Sequence, residues 1–330
     1  MGIKLKPKVF IALPIPPQAE AFIAEHCEYR KWDFKEPIPR EVLLKEIVDM
    51  DGLLTVGGEI DHELLNSAPK LKVVSNISVG YNNFDLEAMK KRGVLGMNTP
   101  SVLDDTVADL ILALVLASAR RIPELDRYVK EGRWRRGYDG SFFGVDVHHS
   151  TIGIIGLGRI GEAIAKRAKY GFDMNILYYN RTRKFKAEKN LGAQYCTMDE
   201  LLQKSDFVVL MTPLTPETTR IMGHQEFSLM KNSAFFINAS RGQTVDEQAL
   251  IEALLKGKIR GAGLDVYEQE PIDPGHPLLK MDNVVTLPHI GSATEKTRFD
   301  MAMLAAKNLV QALKGEQPLN IVDELSGVKF

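Results

Sequence analysis

The segment Thr151-Ile152-Gly153-Ile154-Ile155-Gly156-Leu157-Gly158-Arg159-Ile160-Gly161 constrains this chain more than any other. An apolar, β-branched run enters a Gly-x-Gly-x-x-Gly turn, and a helix-like stretch, Glu162 to Tyr170, leaves it. Gly156 permits the tight strand-to-helix turn, and Gly158 lets the backbone approach a pyrophosphate. Gly161 allows the helix to pack closely on the strand. The first helical turn, with Arg159 and Ile160, offers unpaired N–H groups to an anion. Glycine-rich turns are common, but a strand before and a helix after supply the context of a dinucleotide site.

The end of the same unit bears on which dinucleotide. A second apolar strand, Ile176 to Tyr179, runs into Asn180-Arg181-Thr182-Arg183. An acid about 20 residues past the glycines would hydrogen-bond the ribose 2′-hydroxyl of NAD. Asn180 stands there instead, and cations follow it. Arg181 and Arg183 can pair with a 2′-phosphate and Thr182 can donate to it, so the expectation is NADP(H) preferred, with NAD(H) possible. A solvated basic loop is the alternative, since Lys184 and Lys186 continue the run.

At 330 residues the chain exceeds what one core usually holds, which predicts two domains. A net charge of −1 gives no general pull toward nucleic acid or an anionic membrane. Cys27 and Cys196 are the only cysteines, which argues against a disulfide framework and fits a reducing compartment. Met1 to Lys8 is polar and basic with no signal-peptide core, and no apolar run reaches spanning length, so the cytoplasm is expected.

Apolar runs at Val9–Leu13, Gly52–Val56, Val73–Ile77 and Val94–Met97 read as strands, with helices at Glu41–Val48 and Asp85–Lys91. Such alternation predicts a parallel sheet covered on both faces. Asp104 to Arg121 reads as a long apolar helix, acidic at its start and basic at its end, buried between layers or at a subunit interface. The alternation restarts at Thr151. Strands follow at Phe207–Leu210, Ala234–Asn238, Gly261–Val266 and Val284–Leu287, with helices at Val245–Leu255 and Glu295–Leu313. The fold class is therefore α/β, with two doubly wound parallel-sheet domains. The last helix has no strand after it and is expected to pack back on the first domain.

Hydride transfer to a ketone leaves an alkoxide, which needs a proton donor. A second group must fix the substrate and polarise its carbonyl. Histidine suits the first task and arginine the second. Three strand-end segments of the second half supply them: Asn238 to Gly242, Tyr267 to Pro271, and Leu287 to Gly291. Each is ordinary alone: Arg241 could cap a turn, Glu270 could be a loop acid, His289 a satisfied boundary histidine. By chemistry, Glu268 or Glu270 could partner the imidazole. His148-His149 invites a metal, but neighbours on an extended strand point oppositely, and no metal is expected. Trp134-Arg135-Arg136 reads as a helix-end surface, or as a contact to a substrate tail across a dimer.

Together, the glycine turn, Ser240-Arg241-Gly242, Gly263-Leu264-Asp265-Val266, Glu270-Pro271 and Pro288-His289-Ile290-Gly291-Ser292 resemble the D-isomer-specific 2-hydroxyacid dehydrogenases from Lys8 to Asn320. Within them, Gly144 to His149 and Asn180-Arg181 look most like glyoxylate/hydroxypyruvate and 2-ketogluconate reductases. The resemblance implies a small 2-keto or 2-hydroxy acid substrate. Arg241 would bind its carboxylate and keto oxygen, and His289 would exchange the proton, with Glu270 holding the ring. Asp265 would meet the nicotinamide carboxamide, and Val79 and Gly80 would grip the carboxylate through backbone N–H groups. Asn82 and Phe84 depart from the family's usual aspartate and aliphatic residue, which puts substrate size in question.

The resemblance also implies a flavodoxin-like substrate domain, residues 1–100 with 291–330, and a Rossmann cofactor domain, residues 101–290. Helix 104–121 would form a homodimer. Formate or phosphite oxidation on the same fold, and a cofactor-sensing corepressor, are the rival readings. Formate enzymes look different at Glu270, where they carry glutamine.

Overall fold

Strands that alternate with helices pair in parallel, because each helix carries the chain back to the edge where the previous strand began. The structure, a computed structural model, describes residues 6–137 and 140–328. The first five residues of the polar N-terminal stretch lie outside them. The chain runs β1 (Lys8–Ile11), α1 (Pro17–His26), β2 (Glu28–Lys31), α2 (Arg40–Glu46), β3 (Gly52–Thr55), α3 (His62–Ser67), β4 (Val73–Asn76), α4 (Leu86–Arg92) and β5 (Leu95–Met97). Next come α5 (Asp104–Ala119), α6 (Ile122–Lys130), β6 (Thr151–Ile155), α7 (Arg159–Phe172), β7 (Asn175–Tyr179), α8 (Phe185–Leu191), β8 (Gln194–Tyr195), α9 (Met198–Lys204) and β9 (Phe207–Leu210). The last elements are α10 (His224–Leu229), β10 (Phe235–Asn238), α11 (Glu247–Leu255), β11 (Gly261–Leu264), β12 (Val284–Thr286) and α12 (Glu295–Leu313).

The chain divides into two compact units, one of Met1–Leu103 with Thr294–Phe330 and one of Asp104–Ala293. The sequence reading sets these divisions at 100/101 and 290/291.

In the first unit, a five-stranded parallel sheet has the order β2-β1-β3-β4-β5. Phe10, Leu53, Ile60, Val74 and Phe84 lie in its core. The C-terminal helix α12 packs on this sheet. Its Leu309 and Leu313 methyls lie 3.0 Å from where a Cβ on Gly52 would stand, and the Ser75 hydroxyl donates to the Ala305 carbonyl at 2.9 Å. Leaving that helix out would bare the apolar side of β3 and β4.

The second unit is a seven-stranded parallel sheet ordered β12-β11-β10-β9-β6-β7-β8. The chain order reverses between β6 and β9, and the crevice beyond strand ends at such a reversal is where open α/β sheets bind ligands. Helix α5 packs on this same unit, with Leu114 and Ser118 pressed within 3.2 Å of the Cβ position of Gly263 on β11. It ends at Ala119, two residues earlier than its sequence suggests, because Arg121 takes a left-handed φ of 55° and starts α6. Among the described residues, no helix is long and apolar enough to cross a membrane.

Two strands and several helices have no counterpart in the sequence reading. β2 and β8 are edge strands whose residues are mostly exposed, so no apolar run marks them. Helices α3, α8, α9 and α10 are six or seven residues long, too short for a 3.6-residue period to stand out. Helices α1 and α6 are longer, but α1 buries only Ala19 and Ile23, and α6 buries nothing.

Candidate active site

The glycine turn shows why Gly156 and Gly161 must be glycine. Gly156 has φ +102°, and a Cβ there would come within 2.6 Å of the Met211 carbonyl oxygen. A Cβ on Gly161 would meet the Gly156 carbonyl at 2.6 Å, so any side chain would push α7 off its strand. Gly158 is different. It precedes α7 as the N-cap, and nothing lies within 4 Å of its Cβ position. The first two positions need glycine for packing, whereas the third leaves open space before a helix N-terminus. That cradle fits a pyrophosphate, and so the dinucleotide that the sequence motif implies. Arg159 opens α7 and pairs with Asp104 at 3.3 Å. Ile160 is half-buried beside it.

Asn180, at the end of β7, has a task the sequence did not reveal. Its Oδ1 accepts the Leu157 N–H at 2.7 Å and its Nδ2 donates to the Leu157 carbonyl at 3.2 Å. It thus clasps the glycine turn from the neighbouring strand. Both ends of its amide hold the turn. Arg181 and Thr182 are exposed. Arg183 is drawn aside into a two-pronged pair with Glu188.

The strand ends of β10, β11 and β12 carry the candidate residues Arg241, Glu270 and His289. Asn238 closes β10, and its Oδ1 accepts both the N–H and the hydroxyl of Ser240, at 3.0 and 2.8 Å. Its Nδ2, with the Thr244 hydroxyl, donates to the Arg241 carbonyl. Gly242 packs so tightly that a Cβ would fall 1.8 Å from the Tyr267 carbonyl. The backbone of Arg241 is therefore fixed on both sides. Its guanidinium donates to the Ser240 carbonyl at 2.7 Å, and burial lowers its pKa while the charge of Glu270 opposes that.

Asp265 closes β11 and is 1% exposed. Its carboxylate accepts the N–H groups of Ile290 at 2.7 Å and Gly291 at 2.8 Å. Burial raises its pKa, against the pull of those amides and of His289. These bonds hold the loop after β12, in which His289 takes a left-handed φ of 53°. Such a backbone costs energy in a non-glycine residue and persists only when its surroundings over-determine it.

The imidazole Nδ1 lies 2.6 Å from Glu270 Oε2, while Glu270 Oε1 accepts the Tyr267 N–H at 3.1 Å. Burial would raise the Glu270 pKa, but the hydrogen bond and charge of His289, the Tyr267 amide and Arg241 bring it below its ordinary value. An ionised carboxylate can only accept, so Nδ1 carries a proton and Nε2 is left for exchange. The Tyr267 hydroxyl donates to the Leu287 carbonyl at 3.0 Å, and burial pushes its pKa up to about 12. Tyr267 therefore ties the β11 and β12 ends together, a role that its place in the strand-end segment did not reveal.

The choice between the two glutamates is decided by position. Glu268 pairs with Arg220 at 3.1 Å, and its N–H donates to Glu247 at 2.7 Å. Only Glu270 meets His289.

In the first unit, the loop after β4 is shaped by Asn76. Its amide donates to the Ser78 hydroxyl, the Gly80 carbonyl and Asn83. The Val79 carbonyl accepts from Asn98 and the Ser78 carbonyl from the Thr99 N–H. Among the described residues, the N–H groups of Val79 and Gly80 donate to no protein acceptor. Phe84 is 7% exposed and belongs to the core, so its ring fills the domain interior.

His148 and His149 correct one expectation. The segment is a turn with His149 at φ +63°, not an extended strand, and the two Nδ1 atoms converge to 3.3 Å. The stated reason for excluding a shared ion therefore fails. Even so, among the described residues no group of three or more His, Cys, Asp or Glu side chains could hold a metal ion. Trp134 is 65% exposed, beyond α6.

Residues 112–291 match the family model described as "D-isomer specific 2-hydroxyacid dehydrogenase, NAD binding domain". Glyoxylate/hydroxypyruvate reductase B of Yersinia pestis (strain Pestoides F) is 46% identical over 97% of this chain and 98% of its own length. A crystal structure of a Thermus thermophilus protein superposes with a TM-score of 0.88 at 40% identity, covering 96% of this chain and 99% of that one. The NADPH-dependent glyoxylate/hydroxypyruvate reductase of Sinorhizobium meliloti, solved with NADP and malonate, gives 0.86 at 31% identity over 98% and 99%. The strand-end histidine, arginine and glutamate, the glycine cradle and these likenesses agree: the chain belongs to the D-isomer-specific 2-hydroxyacid dehydrogenases, and is an NAD(P)-dependent oxidoreductase.

Proposed function

We propose that this enzyme reduces small 2-keto acids to D-2-hydroxy acids, with glyoxylate, hydroxypyruvate and 2-ketogluconate as candidate substrates and NADPH preferred over NADH. The 2.6 Å contact between His289 and Glu270 carries the reading. When bound, the reduced nicotinamide supplies the hydride. The protonated imidazole gives its Nε2 proton to the developing alkoxide, and Glu270 stabilises the imidazolium and fixes its ring. Arg241 holds the substrate carboxylate and polarises the keto oxygen; its partial burial strengthens both interactions. The free N–H groups of Val79 and Gly80 are donors suited to a carboxylate. In oxidation, neutral His289 accepts the proton back at Nε2.

The cradle of Gly156, Gly158, Arg159, Ile160 and Gly161 receives the pyrophosphate. Asp265 keeps lone pairs for the carboxamide besides those used by the loop. Arg181 and Thr182 face the 2′-phosphate, and the lack of an acid at Asn180 removes the repulsion that would favour NADH. The 31% identical Sinorhizobium enzyme, NADPH-dependent by description, supports that preference.

Leu110, Ala113, Leu116 and Ala117 leave an apolar face of α5 partly exposed, which supports a homodimer through this helix. Both cysteines are thiols, as a reducing cytoplasm keeps them. The test is a panel of 2-keto acids of increasing length, with NADPH and NADH oxidation followed. Turnover of phosphite but of no 2-keto acid would overturn the proposal.

A further inference from the structure

The loop between β7 and α8 carries two arginines, and the structure treats them unequally. Arg183 meets Glu188 fork to fork, Nε to Oε1 at 2.7 Å and Nη2 to Oε2 at 2.9 Å. Its guanidinium carbon lies 5.1 Å from the centre of the Phe185 ring and 5.7 Å from that of Tyr195. Glu188 is itself anchored from the sheet. The Tyr178 hydroxyl donates to Oε1 at 2.7 Å and accepts the Lys184 N–H at 2.7 Å, while the Tyr178 ring is fully buried in β7. The carboxylate is therefore a fixed post, and Arg183 leans on it. Arg181 enters no ion pair among the described residues; Glu217 is the acid whose pKa its charge helps to lower.

We propose that Glu188 sets how strongly this enzyme distinguishes NADPH from NADH, by withholding Arg183 from the 2′-phosphate. The proposal rests on reading this loop as the adenosine end of the cofactor site. A paired guanidinium presents a neutralised charge, and its two best-aligned donor edges are occupied. With Arg183 so held, Arg181 is the one guanidinium of the loop left to meet the phosphate beside Thr182, and the preference for NADPH is kept moderate. Exposed pairs of this kind are weak, so Glu188 tips the population of Arg183 severalfold and does not lock it. Glu188 acts through Arg183, as a positioning residue, and touches neither substrate nor cofactor.

Calorimetric dissociation constants for NADPH and NADH test this with the whole enzyme and without turnover. Glu188→Gln keeps an acceptor for the Tyr178 hydroxyl, so the loop stays anchored, but removes the charge that holds Arg183. Expected is NADPH binding tightened about fivefold, NADH binding unmoved, and the gain erased in Glu188→Gln/Arg183→Gln. Three results overturn it: no tightening; equal shifts for both cofactors, which mark a merely structural role; or a gain that survives in the double variant. Arg181→Ala separates the two levels. If it weakens NADPH while Glu188→Gln changes nothing, only the Glu188 proposal falls. If it leaves NADPH binding as it was, the reading of the loop falls, and this proposal with it.

Discussion

At the end of β12, His289 is held by Glu270 on its ring and, through the next two N–H groups, by Asp265 beneath its backbone. At the end of β7, Arg181 and Thr182 stand exposed on a loop held at Asn180, Arg183 and Lys184. One end invests a strained backbone, a buried acid and a short hydrogen bond in fixing a single nitrogen. The other leaves Arg181 exposed and outside any ion pair among the described residues. Proton transfer demands positioning to a fraction of an ångström, whereas attraction to a multiply charged phosphate tolerates several geometries. On the proposed function, the strand ends of one sheet serve two different tolerances.

Four measurements sharpen or break this contrast, the largest effect first. His289→Asn should lower kcat about 10²–10⁴-fold with little change in cofactor affinity; near-normal kcat would remove the proton from this residue. Arg241→Lys, which keeps the charge but not the fork, should lower kcat/KM about 10²-fold, mainly through KM. An unchanged KM across the 2-keto acid panel would mean that the guanidinium does not hold the substrate.

Arg181→Ala should raise the dissociation constant for NADPH about tenfold and leave that for NADH unmoved. Parallel shifts would show a loop that supports structure alone.

The smallest effect concerns pH and stability. The folded-state Glu270 pKa lies below the ordinary value of 4.5, so its pair with His289 stabilises the fold fully above that value. The contribution disappears as the pH falls through the lower folded-state value. Wild-type Tm should therefore exceed that of Glu270→Gln by a few degrees at pH 6, and the gap should close on acidification below about pH 4.5. A gap that widens on acidification would reverse the sign and rule out an ionised, histidine-paired Glu270.

Much of this architecture is legible in the chain as written. The runs from Val73, Thr151, Phe207 and Gly261 become buried strands, because strands buried on both faces must be apolar throughout. α12 matches its predicted span, since Thr294 caps its start and its apolar face continues to Leu313. β2 and β8 were invisible for the opposite reason: an edge strand half in water needs no apolar run.

The candidate site divides in the same way. Its residue types and strand-end positions follow from one-dimensional pattern and from the demands of hydride chemistry. Partner choice does not. Glu270 rather than Glu268 reaches His289 because Arg220 and Glu247 claim the latter, and those residues lie 48 and 21 positions away in the chain. Asn180 turned inward to Leu157, 23 positions back, instead of outward with the arginines that follow it.

What the sequence by itself determined was local: which segments must be strands, where glycine is needed, and which groups can move a proton or hold a carboxylate. Only the tertiary structure decided which charges meet. Pairing depends on distances of a few ångströms between residues remote in sequence, and those distances exist only once the strands, helices and loops of the second unit are packed.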